Sequence, residues 1–420
     1  SLPRQIAVIA FWPFLEQLLS FFVTSSDLFI ATKIGVDAQD TINISDGMGA
    51  VVFIMWFGFV IQGSIMMGAT AIVSRMTGAR DYPQAQHGLH QAAMLGLLAG
   101  TISCGLLFTC SDFMVTHVLT MNETARAYAL QYVYMAAFAA PFSGVVFAIN
   151  AALRGSGDTR LPFWIMMSVG ILNVIFSVIF VFADAPLGGW RIGGIAAGTV
   201  CGYGISMCIL LFIMLRRRKK IFTGRKNESL EELVRERGEH YAPPLYLSFS
   251  HLRPDMGMQK RILKIGLPQA VEVFGMWGIQ MFCLSIISEL PVKGVLGVHN
   301  IAVRIESLSF LPGFAIGMAA STLVGQYLGA RNALMARITI WKCMRYAVIF
   351  MTGLGVLFSA FPALFMEIFS NGSTTLIDTG IPVLRTMLVV EPFFAACIVM
   401  KMSLRGAGDT RRVMLISYGI

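Results

Sequence analysis

Ten stretches of twenty or more mostly apolar residues, divided by short polar, glycine- or proline-bearing breaks, govern what this chain can become. They cover approximately residues 6–32, 47–74, 91–115, 127–152, 162–184, 191–215, 262–288, 295–326, 338–364 and 380–404, and an eleventh begins near Val413 and is cut off at Ile420. A helix needs about 20 such residues to cross a bilayer, and in lipid the backbone must satisfy its own N–H and C=O groups. Each stretch is therefore expected to be a transmembrane helix. Only 13% of the residues are charged and the mean hydropathy is +0.71, whereas a soluble chain carries about a quarter charged residues. A water-soluble fold is excluded. The first run is too long for a signal-peptide core and no small-residue cleavage pattern follows it, so it is expected to be a permanent span.

The formal charge of +9 superficially suits a nucleic-acid binder, but its distribution argues for topology. Arg4, Arg75, Arg80, Arg154, Arg160, the segment 216–264, Arg331, Arg337, Lys342, Arg345, Arg405, Arg411 and Arg412 all fall on one side of the alternating spans. The opposite loops hold mainly acids, among them Asp37, Asp40, Asp112, Glu123 and Asp184. Positive charge marks the cytoplasmic side, which places the N-terminus inside a plasma (inner) membrane and excludes nucleic acid as a partner. The seven cysteines are scattered, without CxxC or Cys/His spacing, so they read as small hydrophobes. No metal or cofactor is expected.

The chain repeats itself. Residues 152–162 read ALRGSGDTRLP and residues 403–413 read SLRGAGDTRRV. The same offset of 251 residues carries Gly78-Ala79-Arg80 onto Gly329-Ala330-Arg331 and Pro141-Phe142 onto Pro392-Phe393. Six spans precede the basic segment 216–260, an even number, so the halves are parallel repeats, an arrangement typical of secondary transporters. The expected organisation is an N-lobe over 1–215, a cytoplasmic basic linker over 216–260, and a C-lobe over 261–420. Continuing the register implies twelve helices, with most of the last two beyond Ile420. The linker opens with Arg216-Arg217-Arg218-Lys219-Lys220, which suits contact with anionic membrane lipid.

These residues resemble the multidrug and toxic compound extrusion (MATE) family. The resemblance rests on the twin loops Arg154-Gly155-Ser156-Gly157-Asp158-Thr159 and Arg405-Gly406-Ala407-Gly408-Asp409-Thr410, the twin Gly-Ala-Arg endings, and Ile305-Glu306-Ser307-Leu308-Ser309-Phe310-Leu311-Pro312-Gly313. Pro13 followed by Asp27 and the Gly266-Leu267-Pro268 opening of span seven also fit. The resemblance implies an all-α, V-shaped pair of six-helix lobes. It further implies export, by a monomer, of organic and often cationic, polyaromatic small molecules in exchange for Na⁺ or H⁺.

Ionisable residues at membrane depth are expensive and so are functional candidates. Here they are Glu16, Asp27, Glu272, Arg304, Glu306, Glu391 and Lys401. Asp27 is the first candidate: it can hold a proton or, as an anion, coordinate Na⁺. The resemblance adds Asn173 and Thr199, and places at Ser177 a position where archaeal-type relatives commonly carry a second Asp. A single carboxylate with Asn, Thr and Ser oxygens favours H⁺ over Na⁺. Glu16 precedes Asp27 by close to three helical turns, so the two share a face; it is either a relay toward the cytoplasm or an interfacial residue. Glu272 and Glu391 are a possible second site, although both are displaced from the sodium-coupled pattern. Lys401 is expected to snorkel, Arg304 and Glu306 to form a structural ion pair, and Arg154, Gly155, Gly157 and Asp158, with Arg405, Gly406, Gly408 and Asp409, to brace their lobes.

Trp56, Phe57, Met66, Met67, Phe142, Met166, Met167, Trp277 and Met281 are candidates for a cavity lining, since flexible Met and flat aromatics suit varied planar cations. Two other functions compete. A lipid-linked oligosaccharide flippase of the same superfamily calls for a basic cavity, which only Arg304 and Lys401 favour. A membrane-embedded enzyme calls for paired metal-binding acids or an activated nucleophile, and neither is present; no Gly-Lys-Ser/Thr phosphate loop follows the glycine turns either.

Overall fold

The computed structural model describes residues 1–118, 122–184, 186–221, 244–248, 253–290, 295–370 and 374–419. Among them every regular element is helical. The N-terminal half comprises α1 (Leu2–Thr32), α2 (Ala38–Gly78), α3 (Tyr82–Phe113, continued by a π-turn over Met114–Val118), α4 (Glu123–Ala137), α5 (Ala140–Ser156), α6 (Arg160–Phe182) and α7 (Arg191–Ile221). The C-terminal half comprises α8 (Met256–Ser288), α9 (Val295–Gly329), α10 (Ala333–Ala360), α11 (Pro362–Ser370), α12 (Thr374–Gly406) and α13 (Thr410–Gly419). Nine of the described helices are long and apolar enough to cross a membrane, ten if α4 and α5 are one span bent by 55°.

Two boundaries differ from expectation for identifiable reasons. The polar residues before position 47 are helical, because Asp37 caps α2 by accepting from the Asp40 N–H, and a helix cap need not lie at the membrane surface. The fourth span breaks at Phe138-Ala139, just before Pro141, whose ring cannot continue the hydrogen-bond ladder. Gln62 of α2 compensates there, donating to the Ala140 carbonyl at 3.2 Å and accepting from Ser143 Oγ at 3.0 Å.

The internal repeat is visible in backbone geometry. Arg80 and Arg331 sit at φ 59° and 55°, and Gly157 and Gly408 at 95° and 83°. Asp81 and Asn332 cap α3 and α10 at equivalent positions. At each Arg-Gly-x-Gly-Asp loop the left-handed glycine closes the helix. Gly157 N donates to Arg154 O and Asp158 N to Leu153 O, and Gly408 N and Asp409 N repeat this with Arg405 O and Leu404 O, all at 2.9–3.0 Å.

The halves meet through α1, α2, α8 and α9, and they exchange helix starts. Leu2 and Ile6 of α1 are buried against Ile316, Ala320 and Leu323 of α9. Reciprocally, Met258 and Ile262 of α8 are buried against Ile65, Ala69 and Ile72 of α2 and Ala92 of α3. At the Arg-rich end α2 and α9 cross backbone to backbone: a Cβ on Gly78 would strike the main chain of Gln326, and one on Gly329 that of Arg75 and Ala79. These contacts are one another's images in the repeat register. Thr322 Oγ1 donates to Arg154 O at 3.2 Å, alongside Gly157 N, and Gln326 Nε2 donates to Gly155 O at 3.0 Å, so carbonyls ending α5 are bonded from the other half.

The expected linker over 216–260 is partly structured. Residues 216–221 continue α7, residues 222–243 and 249–252 lie outside the described residues, and 244–248 with 253–255 are seated on α3. Leu245 and Leu247 enter the core formed by α3, α5, α6 and α7.

Candidate functional site

A cavity of about 720 Å³ lies between the halves. Trp56, Phe59, Met66 and Met67 of α2, Met166 of α6, and Phe314 and Met318 of α9 form much of its wall, with Gln17, Gln62 and Gln269 interspersed. Glu16, Arg154, Ser321, Thr322 and Arg405 lie toward the crossed, Arg-rich end. Of the expected lining residues, Trp56, Met66, Met67 and Met166 are present. Phe57, Phe142, Met167, Trp277 and Met281 are not; Phe57 and Trp277 instead pack on Phe274, at 6.0 and 6.1 Å.

Behind the N-terminal wall lies a polar cluster on α1, α6 and α7. Asn173 Nδ2 donates to Thr199 Oγ1 at 2.8 Å, while Ser177 and Thr199 both donate to the Ile195 carbonyl, at 3.2 and 3.4 Å. Gly170 lets α6 approach Leu19 and Val23 of α1 closely. Because α1 and α6 are the first and fifth crossings they run in the same direction, so Asp27, one turn after Val23, lies level with Asn173. Asp27 Oδ1 and Asn173 Oδ1 are both buried and receive no hydrogen bond. Two orphaned acceptors at one level of the bundle mark a place wanting a proton or a cation. The hydroxyl of buried Tyr132 reaches Thr199 and lies in the field of Asp27. Sequence reasoning missed Tyr132 and Gln62, whose roles depend on partners that are distant in the chain. Thr24 and the cluster's own Thr199 line the cavity itself, so the cluster reaches the cargo space through Thr199.

Glu16 does not stand free as a relay carboxylate. It is 8% exposed, and both its oxygens accept from Arg154 Nη1, at 3.2 and 3.3 Å. An ion paired and buried in this way has its charge compensated. Glu272 and Glu391, expected to share a site, are apart. Glu272 meets Arg405 Nη2 at 2.8 Å, Lys401 Nζ at 3.3 Å and Ser417 Oγ at 2.8 Å. Glu391 accepts from Ser309 of α9 and its Oε2 is buried without a donor. Lys401 and Arg405 lie ten and fourteen residues beyond Glu391 on α12, which at 1.5 Å per residue is about 15–20 Å. Lys401 therefore pairs inward instead of snorkelling. Arg304 is exposed and forms no ion pair with Glu306; residues two apart point to different helix faces. Glu306 lies instead within the field of Glu391.

Of the two loop acids, Asp158 ties its helix start to α7, whereas the contacts of Asp409 among the described residues are with its own following helix. Asp158 accepts from Leu161 N at 3.2 Å and Arg217 Nη2 at 2.8 Å. Asp409 accepts from Arg412 N at 3.4 Å, and its Oδ2 lies 3.2 Å from Arg412 Nε. The small residues of these loops let helices pack closely within each lobe: a Cβ on Gly155 would crowd Thr70 and Ser74 of α2, and one on Gly406 would strike the main chain of Ser321 of α9.

Comparison with known proteins places this geometry. The chain is 25% identical over 373 residues to the probable multidrug resistance protein NorM of Thermotoga maritima, covering 89% of this chain and 74% of that protein. It is 23% identical over 309 residues to the multidrug resistance protein NorM of Vibrio vulnificus, covering 72% of this chain and 60% of that protein. The fold superposes on that of a MOP superfamily transporter from Pyrococcus furiosus with a TM-score of 0.83, at 16% identity, over 99% of this chain and 85% of that one. The MatE profile matches twice, over residues 46–179 and 268–419, one match in each half. With two MatE repeats spanning most of its length, the chain belongs to the MatE family of multi-pass membrane transporters.

Proposed function

We propose that this protein exports organic, cationic or polyaromatic compounds across the plasma (inner) membrane by H⁺ antiport, with its N-terminus and Arg-rich end cytoplasmic. The observation that carries the reading is the pair of orphaned oxygens, Asp27 Oδ1 and Asn173 Oδ1, set behind a Met- and aromatic-lined cavity. A proton on Asp27 would turn an unsatisfied acceptor into a donor facing Asn173, and this reorganises the wall that contains Thr24 and Thr199. In the arrangement described, the α2–α9 crossing closes the cytoplasmic end. Protonation from outside then lowers affinity for cargo, the lobes rock, and proton loss to the cytoplasm restores the binding state. Proton coupling is favoured over sodium because Ser177, where archaeal-type relatives commonly carry a second Asp, leaves the cluster one negative charge poorer and with a single carboxylate for a cation.

The cavity also bears on the flippase alternative. Its two arginines, Arg154 and Arg405, are each paired with a glutamate, and only the Arg405–Glu272 pair, which Lys401 joins, carries one positive charge in excess, far short of the basic cavity that an anionic lipid-linked saccharide calls for. In the C-lobe, Glu391 with Glu306 nearby is the remaining candidate for a second ion site, because Glu272 is neutralised by two cations.

The decisive measurement is transport in vesicles with separately imposed proton and sodium gradients, using an organic cation such as ethidium. The unaltered protein should follow the proton gradient. Asp27→Asn, expressed at normal levels, should still bind ethidium and lose counter-gradient export by at least tenfold, about the 1.4 kcal/mol scale of one coupling interaction. Retained export by that variant removes Asp27 as the coupling group, and a response to sodium alone removes the proton.

A further inference from the structure

The repeat register places α3 on α10, with Tyr82 opposite Ala333 at the helix starts. In the N-lobe, the first turns of α3 hold residues 244–248 and 253–255 by their backbone. Gln86 both donates to Tyr246 O and accepts from Tyr246 N, His90 Nε2 accepts from Ser248 N at 3.0 Å, and Gln91 donates to Arg253 O at 2.7 Å and accepts from Asp255 N at 3.0 Å. An amide suits this task because it donates and accepts at once. At the equivalent positions of α10 stand Arg337 for Gln86, Trp341 for His90, Lys342 for Gln91 and Arg345 for Met94. Guanidinium and ammonium groups only donate, so this second face cannot hold a peptide backbone in the same way.

No described residue covers that face. It is a shallow groove lined by Leu334, Arg337, Trp341, Lys342 and Arg345 with Ile349 beyond them. Leu334 is 69% and Trp341 59% exposed. Among the described residues no acid lies within ion-pair distance of the three cations. Above Arg345, α10 is uninterruptedly uncharged to Ala360, a rise of about 22 Å that occupies most of the hydrocarbon layer. The cations therefore stand at headgroup level, and Trp341 is at the depth favoured by interfacial aromatics.

We propose that this groove binds the headgroup of an anionic glycerophospholipid in the leaflet on the Arg-rich side. The phosphodiester accepts from Arg337, Lys342 and Arg345, and an acyl chain lies along Val348, Ile349 and Ala396 of α12. One duplicated helix face thus serves two ligands: amides take the chain's own backbone, and cations take lipid phosphate.

The test uses the whole protein in nanodiscs of phosphatidylcholine containing a fifth of brominated phosphatidylglycerol or of brominated phosphatidylcholine. The fluorescence of Trp341 is read as the difference between the unaltered protein and Trp341→Phe. Brominated phosphatidylglycerol should quench that component about threefold more strongly, in line with electrostatic enrichment at a polybasic surface. Arg337→Gln/Lys342→Gln/Arg345→Met, which installs the α3 residues, should abolish the preference, and single Lys342→Gln should reduce it. Arg216→Gln/Arg217→Gln/Arg218→Gln should leave it unchanged, separating the groove from general attraction to the polybasic run. Equal quenching by both lipids in the unaltered protein overturns the proposal, as does a preference that survives in the triple variant. Insensitivity of Trp341 to both lipids would mean that protein covers the groove, and that also overturns it.

Discussion

The two lobes carry the same arginine at the same turn and use it differently. Arg154 meets one glutamate, Glu16 of α1, and the side chain one turn earlier on α5 is Asn150. Arg405 meets Glu272 of α8 together with Lys401, which stands where the register puts Asn150. The N-lobe pair is balanced one to one and stands apart from Asp27; the C-lobe glutamate is shared by two cations and a serine. Asp27 itself maps onto Gly278. Duplication has kept the backbone brace and its left-handed glycines, while the ionisable groups have diverged. Backbone geometry is a constraint both lobes share; an ion site is needed only where coupling occurs.

Removing each arginine in turn breaks the comparison most forcefully. Arg154→Leu leaves Glu16 buried with no cation, an uncompensated charge costing about 3–5 kcal/mol. Arg405→Leu leaves Lys401 on Glu272, so the loss should be less than half as large. Thermal midpoints of the purified variants, with Glu16→Gln/Arg154→Leu as the compensated control, decide the matter; equal losses from the two arginine variants would remove the distinction between the lobes.

A second break targets the crossing that the lobes share. Gly78→Val places a side chain against the Gln326 backbone, which cannot yield as a side-chain tip would. Overpacking of this kind costs about 1–3 kcal/mol, directed against the closed end only. Paired cysteines at Arg75 and Gln326 should cross-link readily in the parent and several-fold more slowly beside Gly78→Val. Unchanged cross-linking would mean that the crossing is not what holds the Arg-rich end closed.

Much of this was legible from residue pattern. The apolar runs locate every described crossing, because lipid permits few alternatives to a helix, and the duplicated Arg-Gly-x-Gly-Asp loops turn as their glycines demand. Ion-pair partners were not legible. Glu16 finds Arg154 and Glu272 finds Lys401 because of helix rotation and depth, which an apolar run does not specify. Asp27, Asn173 and Thr199 do converge on α1, α6 and α7, and the resemblance, not the spacing, drew Asn173 and Thr199 to notice. The seat for residues 244–248 and 253–255 was invisible for a related reason: Gln86, His90 and Gln91 resemble ordinary polar helix-end residues until the backbone they bind is in view.

That seat gives a smaller effect. Gln91→Leu orphans the Arg253 carbonyl and the Asp255 N–H, and also removes an acceptor from Gln259 Nε2, 3.0 Å away. A buried group left unpaired costs about 1–3 kcal/mol, less when water can replace the partner. Here Asp255 is half exposed, so the lower end applies. The equivalent change in the other lobe, Lys342→Leu, breaks no hydrogen bond among the described residues and should leave the thermal midpoint in detergent unaltered. Faster proteolysis of the 244–255 segment in Gln91→Leu alone is the expected signature, and comparable cleavage in both variants would contradict the asymmetry between α3 and α10.

The weakest effect is one of pH. Asp255 accepts from His87 Nε2 at 2.9 Å and from Gly257 N at 2.8 Å, and these bonds, that from His87 foremost, hold its carboxyl below the usual carboxylate range. A carboxyl whose folded pKa is lowered stabilises the fold above its unfolded value, near 3.9, and the contribution disappears as pH falls through the folded value. The pair is partly exposed, so the effect is small. Asp255→Asn keeps an oxygen for the Gly257 cap and removes the charge. The variant should therefore melt slightly below the parent at pH 6, and the two curves should converge as the pH drops through 4 toward 3. The α10 face has no carboxylate partner at Ile338, the counterpart of His87, so Lys342→Gln should show no such convergence. A gap between parent and Asp255→Asn that persisted at pH 3 would place the stabilisation in the cap and not in the ion pair.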